Sequence, residues 1–211
     1  LLKGSILDRR PEPFELLETM RWTLDEGFFL LERHLDRLQD SARYFGFTCP
    51  MDRVRETLDE CARAGSAAGG SQRVRLLVAE GGAVRVERAP LDRREGGVRL
   101  RLAARAIDPS DPFLFHKTTN RGLYERARLP DCDDVILWNP QGEITESTIA
   151  NVVVELDGRR VTPPITCGLL AGTFRAELLA TGEIVEARVS VDDLRKAARI
   201  WLVNSVRGWS P

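Results

Sequence analysis

Amines are scarce in this chain. Of its 31 basic residues, only Lys3, Lys117 and Lys196 are lysine. Arginine stays protonated at working pH and is no substitute for an amine nucleophile, so covalent chemistry through nitrogen is confined to those three positions. Lys117 lies in Phe113-Leu-Phe-His-Lys-Thr-Thr-Asn120, where an apolar run delivers a single amine next to hydroxyl and amide side chains. Lost hydration disfavours the charged form of such an amine, lowers its pKa and makes it nucleophilic. Taken alone, a lysine in this setting more often snorkels from a strand end into solvent. Lys3 stands near the start of the chain, and Lys196 falls on what reads as a solvated helix face.

The neighbouring blocks add weight to Lys117. They are Lys117-Thr-Thr-Asn-Arg121, Gly142-Glu-Ile-Thr-Glu146-Ser-Thr-Ile-Ala-Asn151 and Gly168-Leu-Leu-Ala-Gly172-Thr-Phe-Arg175. Upstream stands Leu30-Leu-Glu-Arg-His34-Leu-Asp-Arg37-Leu-Gln-Asp-Ser-Ala42, and downstream Val203-Asn-Ser-Val-Arg-Gly-Trp209. In this order and spacing the five blocks resemble the class IV aminotransferases, the fold-type IV pyridoxal-phosphate enzymes, over nearly the whole chain.

The resemblance implies a role for each matching residue. Lys117 matches the lysine that bonds to the aldehyde of pyridoxal 5'-phosphate and then shuttles protons. Glu146 matches the acid set against the pyridine nitrogen, where a carboxylate keeps that nitrogen protonated and the ring able to accept electrons. Gly172, Thr173 and Phe174 match the phosphate turn, in which glycine lets the backbone approach and the N–H groups opening the next helix face the anion. Arg37 matches an arginine that reaches the phosphate as a bidentate partner. Ser205 stands where relatives use a hydroxyl or small residue near the phosphate. His34 and His116, the only histidines, are given no proton-transfer role, because packed structural histidines are commoner than catalytic ones.

Within the family, transaminases for branched-chain or D-amino acids place a tyrosine shortly after the lysine. Here Arg121 occupies the fourth position after Lys117, and the first tyrosine to follow is Tyr124. Lys117-x-x-Asn120-Arg121, Phe14-Glu-Leu-Leu-Glu-Thr-Met-Arg21 and Asn204-Ser-Val-Arg-Gly-Trp209 are instead similar to the aminodeoxychorismate lyases, including versions fused behind the synthase that makes their substrate. The activity this implies is release of pyruvate from 4-amino-4-deoxychorismate to leave 4-aminobenzoate for folate synthesis. Thr19, on the strand expected to face the site, is a candidate for protonating the leaving fragment. Two alternatives remain open: an aminotransferase on D- or branched-chain amino acids, and a non-catalytic domain stabilising a fused synthase.

Several elements must position these residues. Phe14–Trp22 and Phe28–Leu31 flank Asp25-Glu26-Gly27 and read as a hairpin. Leu35, Leu38, Ala42 and Phe45 recur at helical spacing from Glu32 to Tyr44, with Gly46 at the expected C-terminus. A second amphipathic helix spans about Asp52–Ala64. After the glycine-rich break Gly65–Ser71, Val74, Leu76 and Val78 pair across Gly81-Gly82 with Val84 and Val86 as another hairpin. Val98, Leu100 and Leu102 form a half-exposed strand. Then Ile107-Asp-Pro-Ser-Asp-Pro112 interrupts regular structure, and the domain boundary is placed there. Beyond it, Val135–Trp138, Asn151–Leu156 and Arg160–Thr162 read as a meander. Gly172–Ala180 and Val191–Ala198 read as helices, and Ile200–Val203 as a last strand.

The expected fold is therefore α+β and two-lobed, like D-amino acid aminotransferase. Residues 1–107 form an N-terminal α/β sandwich lobe and residues 108–211 a C-terminal barrel-like lobe, with the cofactor between them. The formal charge is -1 with 30% charged residues, which provides no field of one sign for nucleic acid or anionic membrane. Cys49, Cys61, Cys132 and Cys167 are widely spaced without a His cluster, arguing against a metal site or a disulfide framework. No apolar run approaches bilayer length and no signal segment opens the chain, so a cytoplasmic protein is expected. The resemblance alone implies a homodimer and a working partnership with aminodeoxychorismate synthase.

Overall fold

The structure is a computed structural model that describes residues 13–65, 70–91 and 96–211. Lys3 and most of the glycine-rich break after Gly65 lie outside them.

The first lobe is an antiparallel sheet in the order β2-β1-β3-β4. It comprises β1 (Leu16–Thr23), β2 (Gly27–Phe28), β3 (Gln72–Val78) and β4 (Val84–Pro90). The first hairpin is present, with Trp22 opposite Phe28, and Gly27 takes a φ of 69°, which glycine adopts without a Cβ penalty. Its second arm is shorter than the sequence suggests. Leu30 turns left-handed at φ 57°, and α1 (Leu31–Phe45) begins immediately.

α1 buries His34, Leu35, Leu38, Ser41 and Ala42, and ends where Gly46, at φ 74°, donates its N–H to the Ala42 carbonyl. α2 (Met51–Gly65) buries Val54 and Leu58. Both helices share one core with Leu16, Met20 and Trp22 of β1 and Val74, Leu76 and Val78 of β3. Side chains alternate faces along a strand, so the opposite face of the sheet carries Leu17 and Thr19 from β1 and Arg73 and Arg75 from β3. That face looks onto the cleft.

The second lobe is a curled sheet in the order β10-β9-β8-β7-β6-β5, with β11 pairing both β8 and β12. The three strands expected as a meander are here as β6 (Asp134–Trp138), β8 (Asn151–Leu156) and β9 (Arg159–Thr162), but a fourth, β7 (Ile144–Ser147), stands between β6 and β8, and all four run antiparallel. β7 is too short to show a period in the sequence. β5 (Leu100–Leu102) pairs in parallel with β6, so it belongs to this second sheet although the sequence reading places it before the boundary at 107. Its alternation marks a half-exposed strand but not the strand it pairs with. β10 (Val185–Glu186), β11 (Arg199–Asn204) and β12 (Gly208–Ser210) complete the sheet. Three helices flank it: α3 (Gly122–Ala127), α4 (Thr173–Ala180) and α5 (Val191–Lys196). α5 opens with a reciprocal Ser190–Asp193 capping box, which satisfies two otherwise orphan amides.

β1 is the seam between the lobes. The Leu17 N–H donates to the Lys117 carbonyl at 3.0 Å and the Thr119 N–H to the Glu15 carbonyl at 2.9 Å. Farther along, the Arg21 N–H donates to the Ser205 carbonyl at 3.2 Å. Among the described residues no helix is long and apolar enough to cross a membrane.

Candidate active site

The lobes enclose a cleft of about 490 Å³. Of the residues expected at the site, Arg37, Lys117, Glu146, Gly172, Thr173 and Ser205 line it. Phe174 does not. Its ring packs in the second-lobe core with Val153, Leu178 and Val203, 5.7 Å from Phe29, so only its backbone belongs to the turn.

Lys117 is delivered by the segment hydrogen-bonded to the edge of β1, which fixes its backbone while its side chain enters the cleft. Lost hydration, reinforced by the charges of Arg37 and Arg121, lowers its amine to about 8 against partial opposition from Glu18 and Glu146. An amine in that range is largely available as a base or nucleophile near neutrality.

Glu146 sits on β7, opposite Asn151 across a tight turn, and is 4% exposed. Burial raises its carboxyl to about 7. The Tyr124 hydroxyl, the Leu170 backbone N–H, Lys117 and Arg121 oppose that rise. Tyr124 donates to Oε1 at 2.8 Å, and Arg121 lies over the Tyr124 ring at 4.3 Å. Asn151 donates to Oε2 at 3.4 Å and to the Leu170 carbonyl at 2.9 Å. Tyr124 was not foreseen as a site residue, because its distance in sequence from Lys117 departs from the transaminase pattern.

A second buried network lies behind β1 and reaches the cleft through Arg37. Glu18, 1% exposed, stands on the helix-facing side of β1 among Leu16, Met20 and Trp22. The Arg37 guanidinium grips it with two hydrogen bonds, Nε to Oε1 at 2.9 Å and Nη2 to Oε2 at 2.6 Å. His34 Nδ1 lies 2.5 Å from Oε2. Burial alone would raise the Glu18 carboxyl, but the charges and hydrogen bonds of Arg37 and His34 hold it at about 2. Arg37 also donates through Nη1 to the Ala171 carbonyl at 2.9 Å. Thus the arginine expected to reach a phosphate is braced on both sides, with donors to spare. The sequence signal was a charged residue at a strand position where the alternation asks for an apolar one.

Gly172 precedes α4. A Cβ built on it would lie 1.9 Å from Asn151 Oδ1, so no side chain fits where the backbone closes on the cleft. The first N–H groups of α4 have no intrahelical partners, which suits them to an anion. Ser205 lines the cleft, but its hydroxyl donates to the Thr19 carbonyl at 3.0 Å and fastens the seam. Among the described residues no cluster of three or more His, Cys, Asp or Glu side chains could hold a metal ion.

The class IV amino-transferase family model matches residues 15–211. The chain belongs to this family. It is 32% identical to a Schizosaccharomyces pombe protein named "Putative aminodeoxychorismate lyase", over 93% of this chain and 87% of that one. It superposes with a TM-score of 0.87 on a Mesorhizobium loti structure described as a "Putative amino-acid aminotransferase", with 40% identity, covering 94% of this chain and 98% of that one. A hypothetical aminotransferase from Mycobacterium tuberculosis, solved in a PLP-bound form, superposes at 0.81 with 24% identity over 93% and 79% of the two chains.

Class IV members depend on pyridoxal phosphate, and the residues of this cleft fit that group. A buried amine near neutrality faces an aldehyde's requirement, and a buried carboxyl faces that of a ring nitrogen. A glycine turn with no room for a Cβ, next to a braced arginine, faces that of a phosphate.

Proposed function

We propose that this chain binds pyridoxal 5'-phosphate and eliminates pyruvate from 4-amino-4-deoxychorismate, leaving 4-aminobenzoate. The observation that carries this reading is the charge of the cleft. Among the described residues, Arg73, Arg75, Arg121, Arg128 and Arg207 line it in addition to Arg37 and Lys117, with Glu146 the one acid of the lining; behind the lining, Glu18 pairs with Arg37 and Glu87 with Arg75. Even with those two arginines paired, in a chain of formal charge -1 that is a local excess of cations beyond what one phosphate requires. A substrate with two carboxylates answers it, and guanidinium groups hold carboxylates in a defined orientation.

When bound, pyridoxal phosphate supplies an electron sink conjugated to the amine-bearing carbon of the substrate. Arg37 and the Gly172–Phe174 amides hold the phosphate, and Lys117 is the attachment point for the aldehyde. Glu146 keeps the proton on the ring nitrogen, with Tyr124 holding Oε1 and Asn151 near Oε2. With its amine tuned near neutrality, Lys117 takes the proton from the amine-bearing ring carbon. The arginines orient the two carboxylates so that the breaking carbon–oxygen bond stays aligned. Thr19, one of the hydroxyls that line the cleft, is the candidate acid for the departing enolpyruvyl group, which becomes pyruvate on protonation. Atoms balance without a co-reactant, and the aromatic product makes the step effectively one-way. A homodimer and a partnership with the synthase that supplies the substrate belong to the same proposal.

The 40% identity to the Mesorhizobium loti protein favours a second reading, an amino-acid aminotransferase. One experiment separates the two. The cofactor-loaded protein is mixed with aminodeoxychorismate and, separately, with amino-acid donors, while pyruvate is assayed and the cofactor spectrum followed. Catalytic pyruvate release supports the lyase; conversion of the cofactor to its amine form by a donor, without pyruvate release from aminodeoxychorismate, overturns it. Borohydride trapping and peptide mapping should label Lys117 under either reading.

A further inference from the structure

His34 is fully buried, beneath the phosphate turn, and no step above uses it. Its two ring nitrogens face different partners. Nδ1 is 2.5 Å from Glu18 Oε2, and Nε2 is 3.1 Å from Thr173 Oγ1. Glu18 is ionised and already gripped by Arg37, so it only accepts, and Nδ1 must carry a hydrogen. What remains is the state of Nε2, which decides what Thr173 can do.

With a neutral imidazole, Nε2 has only a lone pair, and Thr173 must donate its hydroxyl hydrogen to it. The hydroxyl then offers only lone pairs to the turn, which suits no anion. With Nε2 protonated the bond reverses. Nε2–H donates to Thr173 Oγ1, and the Thr173 hydroxyl is released to donate outward, beside the first amides of α4.

We propose that His34 is a positioning residue that gains a proton on Nε2 when a phosphate ester enters the Gly172–Thr173 turn, thereby turning the Thr173 hydroxyl into a donor for that phosphate. The inference rests on reading the cleft as a pyridoxal-phosphate site. The proton comes from solvent or from the ester's own monoanion, whose second ionisation lies near 6. Above that pH the ester arrives as a dianion and binding takes up one proton from solvent.

The surroundings agree. The charged groups acting on His34 are Glu18 from β1, Arg37 from its own helix and Lys117 from the seam, and the first turn of α4 contributes no acid. Burial, together with the charges of Arg37 and Lys117, lowers the His34 imidazole below its ordinary value despite Glu18. The ligand-free site is therefore neutral at His34 around pH 7, and an arriving dianion provides the charge that reverses the balance.

The test uses pyridoxine 5'-phosphate, which lacks the aldehyde and so cannot react with Lys117, with phosphate-free pyridoxine as control. Its Kd and the protons taken up are measured by calorimetry in buffers of different ionisation enthalpy, from pH 6.5 to 8.5. For the wild type, pyridoxine 5'-phosphate should take up close to one proton more than pyridoxine, and the ratio of its Kd to that of pyridoxine should rise about tenfold per pH unit over this range, a comparison in which the titrations of Lys117 and Glu146 cancel. Thr173→Val and His34→Asn should flatten that slope, the latter keeping an N–H for Glu18, and Thr173→Ser should restore it. A slope unchanged in Thr173→Val, or flat in the wild type, overturns the proton linkage while leaving the cofactor reading intact. If neither pyridoxine 5'-phosphate nor pyridoxal phosphate binds, the cofactor reading falls and the linkage with it.

Discussion

Replacing Glu146 by glutamine should stabilise the ligand-free fold, and by an amount that depends on pH. The folded chain holds this carboxyl near 7 against an ordinary 4.5. Folding therefore binds a proton between those values, and stability falls as pH rises through that window, with the loss complete above 7. The difference corresponds to about 3 kcal/mol. Glutamine has nearly the same shape and still offers an oxygen to the Tyr124 hydroxyl, but it carries no charge to desolvate. Any loss from its weaker fit beside Asn151 is the same at every pH and cancels in the comparison. The assay is urea unfolding of the ligand-free protein, followed by fluorescence of its four tryptophans, at pH 4.5 and pH 8. The advantage of Glu146→Gln at pH 8 should exceed that at pH 4.5 by about 3 kcal/mol. Parallel stability profiles for the two proteins would show that Glu146 is not held against its solvation, and the argument for a tuned carboxyl would be lost.

Two further perturbations probe the same cleft. Gly172→Ala places a methyl 1.9 Å from Asn151 Oδ1, and overpacking of this kind costs about 1–3 kcal/mol; pyridoxal phosphate affinity, read by absorbance titration, should fall roughly tenfold to a hundredfold, and unchanged affinity would mean that the turn does not close on the ligand. Because only the unprotonated amine attacks an aldehyde, the rate of cofactor uptake at Lys117 should climb with pH and level off near 8, as followed by stopped-flow absorbance. An inflection near the ordinary lysine value of 10.5 would refute the lowered proton affinity.

Much of the architecture is legible in the residues themselves, because it depends on local periodicity. Leu35, Leu38 and Ala42 announce α1, Gly46 announces its end, and alternation with paired glycines announces the β3–β4 hairpin. Elements too short to show a period were not legible: α3, β10 and β12 span six, two and three residues. β5 shows its alternation yet not its partner, since parallel pairing with β6 joins segments far apart in the chain.

The residues alone set the chemical inventory: one amine outside the chain start and the solvated α5 face, two carboxylates, Glu143 and Glu146, in the block that opens at Gly142, and a glycine placed just before a helix. Their order and spacing sufficed for the family resemblance. Only the tertiary structure decided how these groups behave. Lys117 near 8 and Glu146 near 7 are consequences of burial, and burial is set by which segments close over a side chain. Likewise His34 meets Thr173 across 139 residues of chain and Glu18 across 16, and Arg73 and Arg75 reach the cleft because β3 lies beside β1. Solvation and long-range contact are properties of the folded surface as a whole, so no local pattern of residue types encodes them.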